Sequence, residues 1–208
     1  MAGEIVFYTN PMSRGRIARW MLEEVGEPYR TEIIEYGKNK SPDFLAVNPM
    51  GKVPALTHGG VVITECAAIC AYLADVFPQA GLAPPPEDSA RGPYYRWLFF
   101  AAGPVEAATT NKSLGFVVPE GREMMAGYGR HETVIDVLES AVSGSTYLAG
   151  EQFSAADVYC GSQIAWGLQF GSMEAGPAFT AYVDRITSRA AYKRASDIDN
   201  ALMPSPAG

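Results

Sequence analysis

Short runs of branched and aromatic residues fill the first third of the chain, whereas beyond residue 93 apolar positions fall only at helical spacing. "EIVFYT", Glu4–Thr9, reads as a strand and "NP" after it as a turn. "SRGRIARWMLEEVG" spaces Ile17, Trp20, Met21 and Val25 along one helical face, with Gly26 as a stop. "YRTEIIEY" reads as a second strand. "SPDFLAVNP" reads as a short helix, with Ser41 as cap and Pro42 in the first turn. "GKVPALTHGG", "VVITE" and "CAAICAYLADVF" then give strand, strand, helix. A strand–helix–strand start implies a right-handed parallel crossover, and a Gly-Gly turn between strands implies an antiparallel hairpin. The result is a mixed sheet of about four strands.

"PQAGLAPPPEDSARGP" breaks this composition with a triple proline and reads as a stiff interdomain linker. After it, "YYRWLFFAAGPVEAATT", "REMMAGYGRHETVIDVLESAV", "SAADVYCGSQIAWGLQF" and "FTAYVDRITSRAAYKRA" all read as helices. The expected division is an α/β domain over 1–80, a linker over 81–92 and an all-α domain over 93–208. In "FSAADV", Ser154 caps a helix and Asp157 reaches back in a capping box, with Phe153 and Val158 at the staple positions. The helix that follows is apolar nearly all round and is expected at the centre of the second domain.

The chain has 208 residues and a formal net charge of -7, which leaves no basic surface for a nucleic acid. No apolar run is long enough to span a bilayer, and the start lacks the basic and apolar segments of a signal peptide. Three cysteines, Cys66, Cys70 and Cys160, fit a reduced, cytoplasmic protein better than a disulfide scaffold. His58 and His131 lie far apart and near no cysteine cluster, so no metal site is expected.

Pro54 sits inside an otherwise strand-like run, although proline cannot donate to a ladder and belongs at an edge, a bulge or a strand's first residue. On local sequence the trans bond is the default, since only about 5–6% of X–Pro bonds are cis. The wider sequence changes that. "NPMGKVPAL" followed by "ITECAAICAYLAD" resembles the N-terminal domain of cytosolic glutathione transferases, "FSAADV" resembles that family's C-terminal capping motif, and "AYVDRITSRAAYKRA" resembles its terminal helix, where proline is common at the place of Ala190. The resemblance spans nearly the whole chain. It implies a thioredoxin-like domain with Pro54 cis, a helical second domain, a homodimer, and glutathione as co-substrate with no metal.

Such a site must favour thiolate over thiol. A free thiol with pKa about 8.5 is only a few per cent ionised at neutral pH. Lowering that pKa by about two units takes about 2.7 kcal/mol. Ser13, placed at a helix N-terminus with open N–H groups, is the first candidate to donate to the sulfur, and it resembles the serine of serine-type transferases. Tyr8 is the second: tyrosine-type members place theirs at the end of this strand, though the loop before "RGR" is longer here. Asn10 is the third, with a helix cap as its simpler role. Arg14 would raise the local positive potential.

For glutathione itself, the resemblance implies Val53 with Pro54 along the peptide, Lys52 near the glycyl end with help from Lys38 or Lys40, and Glu65 facing the γ-glutamyl ammonium. The backbone N–H of Cys66 would meet the γ-glutamyl carboxylate. Cys66 departs from the family's serine, and a thiol is a weaker donor than a hydroxyl. Cys66 and Cys70, four apart, read as two buried small hydrophobes rather than a redox pair. Met12, Tyr95, Asn111, Phe116 and Trp166 are the candidate walls for a small apolar electrophile. The expected activity is thiolate addition to such electrophiles or reduction of organic hydroperoxides. Its rivals are a reductase on the same scaffold, which generally wants a cysteine where Ser13 stands, and a non-catalytic glutathione-fold module.

Overall fold

The computed structural model describes residues 3–203, so the outermost ends of the two expected domains, 1–2 and 204–208, lie outside the described residues. It divides into two compact units: the chain up to Ala80 together with the chain from Ser188 onward, and Gly81–Thr187.

The first unit is built on four strands, β1 (Ile5–Thr9), β2 (Arg30–Ile33), β3 (Ala55–His58) and β4 (Val61–Thr64), in the order β2-β1-β3-β4. β1 and β2 are parallel; β1–β3 and β3–β4 are antiparallel. This is the mixed thioredoxin-like sheet expected from the sequence. Helix α1 (Gly15–Val25) supplies the crossover and ends on Gly26 in the left-handed conformation, whose N–H reaches the carbonyl of Leu22 at 2.9 Å. Helix α2 (Pro42–Val47) is capped by Ser41 and buries Phe44; helix α3 (Cys66–Val76) buries Ile69, Cys70 and Leu73. The Val53–Pro54 peptide bond is cis. β3 begins after it, at Ala55, so the proline stands outside the ladder and costs it no hydrogen bond.

The second unit is helical: α4 (Arg91–Phe100), α5 (Glu106–Ser113), α6 (His131–Gly144), α7 (Ala155–Phe170) and α8 (Pro177–Thr187). Between α4 and α5 the helix widens into a π turn over Ala101–Val105, which accommodates Pro104. α7 is buried at nearly every position from Ala155 to Ile164 and forms the centre of the unit. Its capping box holds: Asp157 accepts the N–H of Ser154 at 2.9 Å, the N–H of Leu148 at 2.9 Å and the Tyr182 hydroxyl at 2.8 Å. Burial pushes the Asp157 carboxyl above its ordinary value, and these donors pull the other way.

Three expectations need correcting. The helix expected to start near Arg122 begins only at His131. Residues 114–130 form a connection with one 3-10 turn at Glu123–Met125, because Gly121 and Gly129 take positive φ. The single terminal helix is two, since Arg189 is extended between α8 and α9 (Ala190–Ala201). And the chain from 93 on is not one domain: α9 packs on α1 of the first unit. There Arg19 and Asp199 form an ion pair at 2.7 Å, both 1% exposed, and Arg189 holds Glu24 through two nitrogens at 2.6 and 2.8 Å.

Candidate functional site

The turn between β1 and α1 carries two of the three thiol candidates, Asn10 and Ser13, and Tyr8 stands in β1 just before it. Asn10 is buried and fully engaged: its Nδ2 donates to the carbonyl of Ile34 at 3.0 Å and its Oδ1 accepts the N–H of Met12 at 2.9 Å. Its backbone carbonyl accepts both the N–H of Ser13, at 3.0 Å, and the Ser13 hydroxyl, at 2.7 Å. The Ser13 Oγ in turn accepts the N–H of Gly15 at 2.9 Å. Thus Ser13 stands at the start of α1 as expected, but the helix N-terminus is not open as expected. The N–H groups of Met12, Ser13, Gly15, Arg16 and Ile17 all close back onto Asn10, Ser13 and Arg14. Asn10 is a turn former rather than a simple helix cap.

Tyr8 is half-buried, its ring 5.9 Å from that of Phe44 on α2. Its hydroxyl has no hydrogen-bond partner among the described residues. Sequence reasoning passed over Thr9 beside it. The Thr9 side chain is fully buried and its hydroxyl is unpartnered among the described residues. It presses against Gly15, where a Cβ would come within 1.8 Å of Thr9 Oγ1, so α1 can start there only on glycine.

α3 begins beside α1. Arg14 is exposed, and its carbonyl accepts the Cys66 thiol at 3.6 Å. Glu65, at the N-cap of α3, is exposed and takes φ 65 and ψ 118, the one non-glycine residue with positive φ among the described residues. Strain of this kind costs about 1–3 kcal/mol and collects at binding sites. Hydrogen bonding to Cys66, and then burial, pushes the Cys70 thiol up, so Cys70 stays a neutral core group.

The peptide edge is organised by two asparagines that sequence reasoning did not single out. Asn48, buried, donates to the carbonyl of Lys52 at 2.8 Å and accepts the N–H of Met50 at 3.1 Å; Asn39 donates to the carbonyl of Gly51 at 2.9 Å. The "NP" turn signal at 48 is the one local clue to Asn48, and nothing beside Asn39 marks it. Val53 follows, and its N–H and C=O have no partner among the described residues. Lys52 is exposed. Lys38 is paired with Glu35 at 2.6 Å and Lys40 donates to the carbonyl of Met50 at 2.7 Å.

These features of the first unit are a turn that presents a hydroxyl, a main-chain edge with free polar groups, and a strained acidic residue opening a helix. Two family models match the chain, Glutathione S-transferase, N-terminal domain, over 12–76 and Glutathione S-transferase, C-terminal domain, over 107–190. Glutathione S-transferase F10 of Arabidopsis thaliana is 31% identical, with 84% of this chain and 88% of that protein covered. The chain belongs to the glutathione S-transferase family. It is also similar to the Disulfide-bond oxidoreductase YfcG of Escherichia coli, 29% identical over 90% of this chain and 92% of that one. A sphingomonad glutathione S-transferase solved in complex with glutathione has a TM-score of 0.77 at 27% identity, covering 94% of this chain and 98% of that one.

In this glutathione S-transferase family member the five residues expected around an electrophile fall in different units. Met12 is half-exposed in the first, its carbonyl accepting the Tyr36 hydroxyl at 3.0 Å. Tyr95 on α4, Asn111 on α5, Phe116 beyond it and Trp166 on α7 belong to the second. The Tyr95 hydroxyl accepts from Arg91 at 2.6 Å, and Asn111 donates to the Tyr128 hydroxyl at 3.1 Å. Among the described residues no cluster of His, Cys, Asp and Glu could hold a metal ion, and no helix is long and apolar enough to cross a membrane.

Proposed function

We propose that the chain is a glutathione transferase that holds glutathione along Val53 and adds its thiolate to small apolar electrophiles. The observation that carries this reading is the unpaired N–H and C=O of Val53, which suit an extended peptide docking as one more strand. The γ-glutamyl group then meets the first N–H of α3 at Cys66, with its ammonium facing Glu65; Lys52 serves the glycyl carboxylate. Arg14 favours the anion.

Ser13 stabilises the sulfur. Its proton is engaged with the Asn10 carbonyl at 2.7 Å, so the hydroxyl must rotate to reach a thiolate. That exchange is favourable: a neutral hydrogen bond is worth about 0.5–1.5 kcal/mol, and one to an ionised group about 1.5–3 kcal/mol. The thiolate attacks the electrophilic carbon, forming the C–S bond as the leaving group departs or the acceptor carbon takes a proton. With a hydroperoxide, two glutathiones are oxidised to the disulfide while ROOH is reduced to ROH and water. Within the second unit, Tyr95, Asn111, Phe116 and Trp166 are the residues assigned to acceptor choice. The working form is a homodimer, and the three free, buried cysteines suit the cytoplasm.

A second assignment of the thiol donor has its own support: Tyr8 carries an unpartnered hydroxyl, whereas Ser13 does not. A reductase reading draws on the likeness to YfcG. The test is calorimetric titration of reduced glutathione near neutral pH in two buffers of different ionisation enthalpy, on the parent and on Ser13→Ala. Binding with close to one proton released, reduced in Ser13→Ala, supports the reading. Proton release unchanged in Ser13→Ala moves the role to Tyr8. Binding with no proton released, or none at all, overturns the enzyme. Reduction of a disulfide substrate with glutathione disulfide as the product, in the absence of any hydroperoxide, would favour the reductase.

A further inference from the structure

Arg16 does two things at once. Its Nε donates to the carbonyl of Pro11 at 2.6 Å, inside the turn that ends in Ser13. Its Nη2 donates to Oδ1 of Asn200, in the last turn of α9, at 2.9 Å. The neighbouring residue, Asp199, holds Arg19 one turn further along α1 at 2.7 Å, with both side chains 1% exposed. Two consecutive residues of α9 therefore grip two arginines on one face of α1, and the outer of these arginines clamps the thiol turn.

We propose that Arg16 and Asn200 are positioning residues for the thiol turn, so that the terminal helix sets where Ser13 stands. The proposal rests on the reading of this turn as the thiol site. The physical reason is local. The turn is only three residues long between Asn10 and Arg14, and two of its main-chain carbonyls are held by side chains from outside it, that of Pro11 by Arg16 and that of Met12 by Tyr36. A guanidinium is planar and rigid and fixes two acceptors in a set geometry. When Asn200 is removed, Arg16 keeps Pro11 but loses the anchor that orients it. Displacement of a reacting group by a fraction of an ångström then costs rate without costing affinity. Among the described residues, Arg16 makes no hydrogen bond to Val53, Glu65 or Cys66, the residues proposed to hold the peptide.

The test compares Asn200→Ala, Asn200→Asp and Arg16→Lys with the parent. The readouts are kcat and KM for glutathione with a chromogenic aryl halide, the pH profile of kcat/KM, and thermal melting. Asn200→Ala is expected to lower kcat about three- to tenfold, as loss of one charge-assisted bond allows, and to move the alkaline-rising limb to higher pH, with KM and melting close to the parent. Asn200→Asp keeps an acceptor for Arg16 and should restore the parent profile. Arg16→Lys cannot span both acceptors and should behave as Asn200→Ala. A parent-like kcat and pH profile in Asn200→Ala overturns the proposal, whatever Ser13→Ala shows. So does a fall in melting temperature with kcat and KM changing together, which marks a merely structural contact. If Ser13→Ala leaves the titration unchanged while Asn200→Ala still shifts the profile, the thiol donor has been misassigned and the positioning role stands.

Discussion

The Cys66 thiol donates to the carbonyl oxygen of Arg14 across 3.6 Å, so the first turn of α3 is tied to the start of α1 by the weakest kind of donor. Serine in its place has a shorter arm and a stronger hydroxyl. It would withdraw from Arg14 and become free to donate to the γ-glutamyl carboxylate proposed to lie there. Cys66→Ser is expected to tighten glutathione binding by about three- to tenfold, the worth of one hydrogen bond. Calorimetric titration checks this; equal or weaker binding would mean that the position does not face the ligand.

Glu65 holds φ 65 at the N-cap of α3. Glycine there relieves side-chain strain of about 1–3 kcal/mol while adding about 0.5–1 kcal/mol of unfolded-state entropy. Glu65→Gly should therefore melt at or above the parent temperature, yet, with Glu65 proposed to face the ammonium, bind glutathione at least about tenfold more weakly. A lower melting temperature together with unchanged binding would reverse the assignment of Glu65 from site to scaffold.

His131 opens α6, with the Lys112 ammonium 3.2 Å from its Nδ1. Burial, and then the charge of Lys112, hold its pKa below the usual histidine value. The folded state thus binds fewer protons than the unfolded state. Stability is complete above the ordinary histidine pKa of about 6.5 and is lost as pH falls toward the depressed folded value. The melting temperature is expected to drop more between pH 7.5 and 5.5 in the parent than in His131→Gln, which keeps an acceptor for Lys112 but does not titrate. Parallel curves would show that His131 takes up its proton without penalty.

The elements that sequence reasoning found are those whose signals are local. Ser154 and Asp157 lie three apart and make their own hydrogen bonds, Gly26 stops α1 by its own φ, and Ser41 caps α2 within one turn. What it missed depends on distant partners. "AYVDRITSRAAYKRA" contains no glycine or proline, and nothing in it marks a break. The chain opens at Arg189 where a bidentate pair with Glu24, 165 residues away, holds it. Asn10 looked like a helix cap because the carbonyl that captures its amide belongs to Ile34, 24 residues on. Ser13 was placed correctly at the start of α1, but the engagement of its proton by Asn10 is visible only in three dimensions. Thr9 gave no signal, since an unpartnered hydroxyl is defined by its surroundings.

The return of α9 to α1 has a consequence for biosynthesis. A ribosome makes the sheet, α1 and the thiol turn first, then all of Gly81–Thr187, and only then the segment that carries Asp199. Until that moment Arg19 has its charge without its carboxylate, and Arg16 has no Asn200 to steady it. The Arg16–Asn200 and Arg19–Asp199 contacts of the nascent first unit therefore form only after Gly81–Thr187 has been made.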